Sequence, residues 1–160
     1  MMQFYAPREM FAYAIGFIEQ GRHNLDLARA AFDHALHQNG ALYMGQVHLA
    51  EIAFAQGDTS AVIQDFETAL RVQPRDVIVH TNYGSLLSLM GHRDAAVAQL
   101  DTAVRLDPDF ATPYWLWAHV LDARGDTVAA LQKYHEFLHH APEEAVERPD
   151  AIVRILALTR

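Results

Sequence analysis

The chain has 160 residues, 51% of them hydrophobic and 20% charged, a balance that supports one packed domain or one short solenoid and argues against overall disorder. Its formal net charge of −8, with ten histidines neutral, offers no basic field for nucleic acid or for an anionic lipid surface. With no cysteine, disulfides, thiolate metal sites and cysteine nucleophiles are excluded.

The stretch up to Gly21 is not a basic segment followed by an apolar run, because Arg8 and Glu9 interrupt it, so no secretory leader is expected. Nor is there a run of about 18 apolar residues, so no membrane span is expected and a cytoplasmic location fits. The dominant pattern is a repeat. Gly57, Gly91 and Gly125 lie 34 residues apart, as do Gly40, Pro74, Pro108 and Pro142. Ala28, Val62, Ala96 and Ala130 form another column at this spacing, with Phe32, Phe66, Leu100 and Tyr134 in a second and Ala35, Ala69, Ala103 and Phe137 in a third. Ile15, Leu49, Tyr83 and Trp117 follow it too, each preceding a small residue: Gly16, Ala50, Gly84 or Ala118. Such periodicity predicts a single array over residues 1–160, with units near 8–40, 43–74, 77–108 and 111–142.

Taken in chain order, the first unit begins with a helix carrying two apolar stripes, Met10–Tyr13–Phe17 and Phe11–Ile15–Ile18. The strict period puts Ile15 and Gly16 in the packing columns but leaves Glu19 where a large apolar residue belongs. Sliding back by two places Tyr13, Ala14 and Phe17 there and Gly21 at the turn, with two residues inserted near Arg22–Asn24. A buried unpaired carboxylate is costly and a longer turn is not, so the slide is the expected register. In the next three units a first helix runs over 43–56, 77–90 and 111–124, closed by a glycine that takes a positive φ. A second helix follows and stops before proline. Asp76 and Asp109 fall where a cap for the next helix is needed. The chain ends in a predicted capping helix over 149–158, with Pro149 in its first turn and Ile152, Ile155 and Leu156 covering the last unit. Val153 and Leu158 then point elsewhere, and a structural homo-oligomer through this helix is one alternative reading.

These columns resemble the tetratricopeptide-repeat family over about residues 8–142. The resemblance implies an all-α, right-handed superhelical solenoid of about four helical hairpins plus the C-terminal cap. It also implies a concave groove lined by the first helices, holding a protein or peptide partner, with no cofactor. Carried column by column, the groove residues are Phe11 and Ile15, then Val47, Glu51 and Phe54, then Thr81, Asn82 and Ser85, and finally Trp115, His119 and Asp122. Trp115 is the expected anchor, because large aromatics dominate desolvated interface centres. Members of the family that grip the acidic C-termini of Hsp70 and Hsp90 use lysines, asparagines and an arginine on these helices. Only Asn82 stands in such a column here, so no grip on an acidic C-terminus is expected.

One motif points to chemistry instead. His135, Glu136 and His139 match H-E-x-x-H, which on a helix lets two imidazoles share zinc beside a general base. The segment is also the second helix of the fourth unit, Phe137 occupies a packing column, and no third ligand stands at family spacing. A non-enzymatic interaction module, acting as adaptor, scaffold or chaperone, is therefore the expected function, with zinc-dependent hydrolysis the alternative.

Overall fold

The computed structural model describes residues 8–160, and among them all regular structure is α-helical. In chain order the helices are α1 (Arg8–Gly21), α2 (Leu25–Gln38), α3 (Tyr43–Ala55), α4 (Thr59–Val72), α5 (Val77–Leu89), α6 (Arg93–Leu106), α7 (Thr112–Ala123), α8 (Thr127–His140) and α9 (Arg148–Leu158). They fall into two compact units, one ending at Pro74 and one spanning Arg75–Arg160.

In the first unit α1 pairs with α2 and α3 with α4, and α3 stacks on the first pair. The packing follows the repeat columns. Ala28, Phe32 and Ala35 of α2 are fully buried, as are Val62, Phe66 and Ala69 of α4. Gly16 is where α1 meets α2 most closely: a Cβ there would lie 2.7 Å from the Phe32 ring. The second unit repeats this geometry with α5–α6 and α7–α8, and α9 packs on α8. A Cβ on Gly84 would lie 2.7 Å from Leu100, so the small column exists to admit the large residue of the second helix. In the fourth hairpin the alanine column holds Phe137, which is buried and packs beside Trp115 at 5.3 Å between rings.

Turns behave as their glycines require. Gly57, Gly91 and Gly125 have φ of +78°, +83° and +81°. Asp76 caps α5 by accepting from the Val79 N–H at 2.9 Å, and Asp58 does the same for α4 from Ala61 at 3.0 Å. Asp109 does not cap α7. That helix starts after Ala111 with Pro113 in its first turn, where no N–H is needed.

The expected slide of the first unit is overturned. Ala12 and Gly16 are the buried residues of α1, so the strict period holds and neither apolar stripe packs on α2 as a whole. Only Tyr13 reaches inward, its ring edge-on to Phe32 at 5.5 Å. Glu19 is tolerated because it is not unpaired. It accepts from Asn24 at 2.7 Å and from Arg22 at 3.0 Å, and these bonds hold its carboxyl below the usual range. His23 then occupies the glycine column, with φ of +62°. An L-residue in that region is strained by about 1–2 kcal/mol. His23→Gly is therefore expected to stabilise the chain by about 0.5–1 kcal/mol, part of the relief being offset by the freer unfolded chain, seen as a higher urea midpoint.

The capping helix also differs from expectation. Ala151 is fully buried, and Ile155 and Leu158 pack on the last hairpin, while Ile152, Val153 and Leu156 stand exposed. A small residue at the closest point lets α9 seat, and Arg148 ties it down by donating to the carbonyls of Leu138 at 2.7 Å and Ala141 at 2.9 Å.

Asp65 of α4 has a measurable consequence. Burial, opposed by Arg29 and reinforced by Asp33 and Asp58, pushes its carboxyl up to about 6 from 3.8. Between those values the folded chain holds a proton that the unfolded chain has lost, so stability falls as pH rises through this window and is level above it. Asp65→Asn is expected to flatten that slope and raise the melting temperature at pH 7; an unchanged melting curve from pH 4 to 7 would contradict this.

Candidate functional site

In each hairpin the first helix has one stripe buried against its partner and another left open. In the first unit the open stripe brings together Phe17, Gln20, His48 and Glu51 around a shallow depression. Glu51 accepts from Gln20 Nε2 at 2.8 Å and lies 3.1 Å from His48 Nδ1. Burial works to raise the Glu51 carboxyl, but the bonds from His48 and Gln20 outweigh it and hold it below the usual range. The other His48 nitrogen lies 3.0 Å from the Tyr13 hydroxyl, and its ring stacks on Phe32 at 4.8 Å. This locks an acidic group beside the exposed ring of Phe17.

In the second unit the corresponding stripe holds Ile78, Asn82, Ser85 and Leu89 on α5, with Leu116 and His119 at the 34-residue counterparts of Asn82 and Ser85 on α7. Ile78 and Leu89 are exposed; Asn82, Ser85 and Leu116 are half-buried. His119 Nδ1 sits 2.7 Å from the Tyr134 hydroxyl, and desolvation, partly offset by Asp122, lowers its pKa. Asp122 is forked by Arg154 of α9, with Nη2 to Oδ1 at 2.8 Å, and that bond holds its carboxyl below the usual range.

Against this geometry the sequence-derived candidates divide. Glu51, Asn82, Ser85 and His119 lie on the open stripes, and Phe54 is half-buried beside them. Val47 is fully buried and cannot face a partner. Thr81 is buried too, its hydroxyl donating to the Val77 carbonyl at 2.7 Å. Asp122 is neutralised by α9. Trp115 is half-buried, with ring contacts to His119 at 4.1 Å, Tyr134 at 5.8 Å and Phe137 at 5.3 Å, so much of it is core. Phe11 and Ile15 are exposed, but the strict register places them off this stripe. Phe17 is the first-hairpin counterpart of Glu51, Ser85 and His119. His48, Leu89 and Leu116 were not singled out from the sequence, although they share these columns.

The H-E-x-x-H segment takes its place in α8. His135 and His139 are exposed, while Glu136 pairs with Lys133 at 2.6 Å and accepts from Gln132 at 3.1 Å. Lys133 also sits over the Trp117 ring at 4.2 Å. Among the described residues no group of three His, Asp or Glu is placed to hold a metal ion, and no helix is long and apolar enough to cross a membrane.

Helical hairpins repeating every 34 residues, each with an open first-helix stripe, define a helical-repeat protein of the kind that binds other proteins. The sequence model of the tetratricopeptide repeat matches residues 78–110, and the same columns run through the neighbouring units. The chain therefore carries a tetratricopeptide repeat within an array of like helical hairpins. Among relatives, it is 24% identical over 94 residues to the small glutamine-rich tetratricopeptide repeat-containing protein 2 of Mycosarcoma maydis, which covers 59% of this chain and 27% of that protein. The chain thus spans about a quarter of that relative's length. Among solved structures, the MamA protein superposes with a TM-score of 0.77 at 17% identity, over 94% of this chain and 80% of that one. YrrB, described as a tetratricopeptide-repeat protein with an unusual peptide-binding site, superposes with a TM-score of 0.70 at 18% identity, over 92% of this chain and 74% of that one. These likenesses establish the fold.

Proposed function

We propose that this chain is a non-enzymatic adaptor that holds an apolar, basic segment of a partner protein against its first-helix stripes. One observation carries the reading: at the same columns in both units these stripes stay open, while neighbouring stripes of the same helices are buried. Their chemistry suggests the ligand. In the first unit an ionised Glu51, fixed by His48 and Gln20, lies beside the exposed Phe17. In the second unit Ile78, Leu89 and Leu116 surround the hydrogen-bonding groups of Asn82, Ser85 and His119. A segment with apolar anchors, a Lys or Arg and free backbone amides complements both. The net charge of −8 favours a basic ligand over an acidic one, in keeping with the lack of a lysine–arginine clamp.

Selection from a displayed random-peptide library with the whole chain as bait tests this. Enrichment of sequences pairing apolar residues with Lys or Arg is the expected result. Enrichment of acidic C-terminal sequences, or no enrichment at all, would refute the reading.

A further inference from the structure

We propose that Arg154 of α9 is a positioning residue for His119: by holding Asp122 it leaves the Tyr134 hydroxyl proton to His119 Nδ1, so that the imidazole presents Nε2–H to a bound segment and selects a carbonyl oxygen there. The ligand half of this rests on the adaptor reading; the proton arrangement does not. Of the two histidines on the open stripes, His48 has both ring nitrogens engaged, Nε2 3.0 Å from the Tyr13 hydroxyl and Nδ1 3.1 Å from Glu51. His119 is exposed and engages only Nδ1, 2.7 Å from the Tyr134 hydroxyl. Among the described residues nothing hydrogen-bonds to its Nε2. That nitrogen lies across the ring from Nδ1, so with Nδ1 turned to Tyr134 it faces away from α8. Whether it donates or accepts there decides which ligand atom it takes.

The direction of the Tyr134 proton decides it. Burial pushes that hydroxyl up, so it keeps its proton. Burial also lowers His119, against Asp122 and Asp150 and together with Arg154, so the ring is neutral at pH 7. Tyr134, Asp122, Asp150 and Arg154 are the groups that act on the ring from α8, α7 and α9. Two arrangements are then open. Either Tyr134 donates to Nδ1 and the ring proton sits on Nε2, or Nδ1–H donates to Tyr134 and the hydroxyl donates to Asp122. The second calls for a short bond to the carboxylate, about 2.5–2.7 Å. Tyr134 is instead 3.4 Å from Asp122 Oδ2 and 2.7 Å from His119. Arg154 accounts for the difference. Its Nε donates to Oδ2 and its Nη2 donates to Oδ1 at 2.8 Å, a fork that engages both oxygens and neutralises the carboxylate. Without this guanidinium, Asp122 becomes the strongest acceptor near Tyr134. The hydroxyl proton then turns to it, Nδ1–H donates to Tyr134, and Nε2 becomes an acceptor. A contact made by α9 thus sets what α7 offers on its open stripe.

Long-range proton–nitrogen NMR of the full chain, labelled with nitrogen-15, reads the His119 tautomer directly. At pH 7 the wild type is expected to show a protonated Nε2 and a bare Nδ1. Arg154→Ala should exchange the two and move the His119 titration to higher pH, because a cation is removed and Asp122 is unmasked. Combining Arg154→Ala with Asp122→Ala should restore the wild-type pattern, because Tyr134 again has only His119 to donate to. A mere displacement of α9 would not be rescued in this way. Adding a selected apolar–basic peptide to the wild type should shift the Nε2–H signals. A protonated Nδ1 in the wild type, no exchange in Arg154→Ala, or no restoration in the double variant overturns the proposal. So does a bound peptide that leaves Nε2–H unmoved. If no peptide binds at all, the adaptor reading fails, while the tautomers of the three proteins still decide the role of Arg154.

Discussion

Tyr134→Ala is expected to remove about 3–5 kcal/mol of stability, a large share of what a domain of this size possesses. Tyr134 is among the largest fully buried side chains and packs in one cluster with Tyr114, Ala118, Leu121, Phe137 and Ala151, so its loss opens a cavity joining three helices. Truncation also strips His119 of the hydroxyl at 2.7 Å and Asp122 of one contact at 3.4 Å. Tyr134→Phe separates the two effects. It keeps the ring, and Asp122 still has Arg154, so about 1 kcal/mol is expected. Both tryptophans, Trp115 and Trp117, lie on α7, so urea unfolding followed by their fluorescence reports the unit concerned. A loss under about 1 kcal/mol for Tyr134→Ala would mean that the ring does not hold α7, α8 and α9 together.

The second large effect concerns binding. Leu89→Asp is expected to weaken affinity for a selected apolar–basic peptide by about 30-fold or more, with the unfolding midpoint nearly unchanged, because Leu89 is exposed and offered to the ligand rather than to the core. Val128→Asp on α8 is the matched control: also exposed, but on a second helix, it should leave affinity intact. Isothermal titration with one peptide and the three proteins reads both outcomes. Trp115→Ala is a poorer probe than the sequence suggests. Its contacts to Tyr134 and Phe137 mean that truncation disturbs the core along with any ligand contact. Equal affinity for wild type and Leu89→Asp would remove the α5 stripe from the binding surface.

Much of the fold was legible because the repeat writes its packing into columns. The small residue at Gly16 or Gly84 and the large one at Phe32 or Leu100 are two halves of one contact, and both recur at the period. The positive-φ turns at Gly57, Gly91 and Gly125 were readable for the same reason. The first unit misled where a local bond overrode a column rule. Glu19 looked like a buried unpaired carboxylate, yet Asn24 and Arg22 satisfy it, and His23 performs the glycine's turn with a side chain attached. That single shift in register carried Phe11 and Ile15 onto the binding stripe and hid Phe17.

Side-chain direction was less legible than helix position. Val47 and Thr81 sit one step round from the open stripe, which is enough to bury them. On α9 hydrophobicity favoured Ile152 and Leu156 as the covering residues, but close packing needed the small Ala151 at the contact, which turned the larger side chains outward. The engagement of Asp122 by Arg154 depends on where α9 docks, and no spacing rule within a repeat encodes it.

Amide chemical-shift mapping with a selected peptide is the most direct test of the account. Perturbations should centre on Phe17, His48 and Glu51 in one unit or on Asn82, Ser85, Leu89, Leu116 and His119 in the other, and should spare the outer faces of α2, α4, α6 and α8. Shifts confined to those outer faces, or to α9, would show that the ligand ignores the open first-helix stripes and would contradict the adaptor reading.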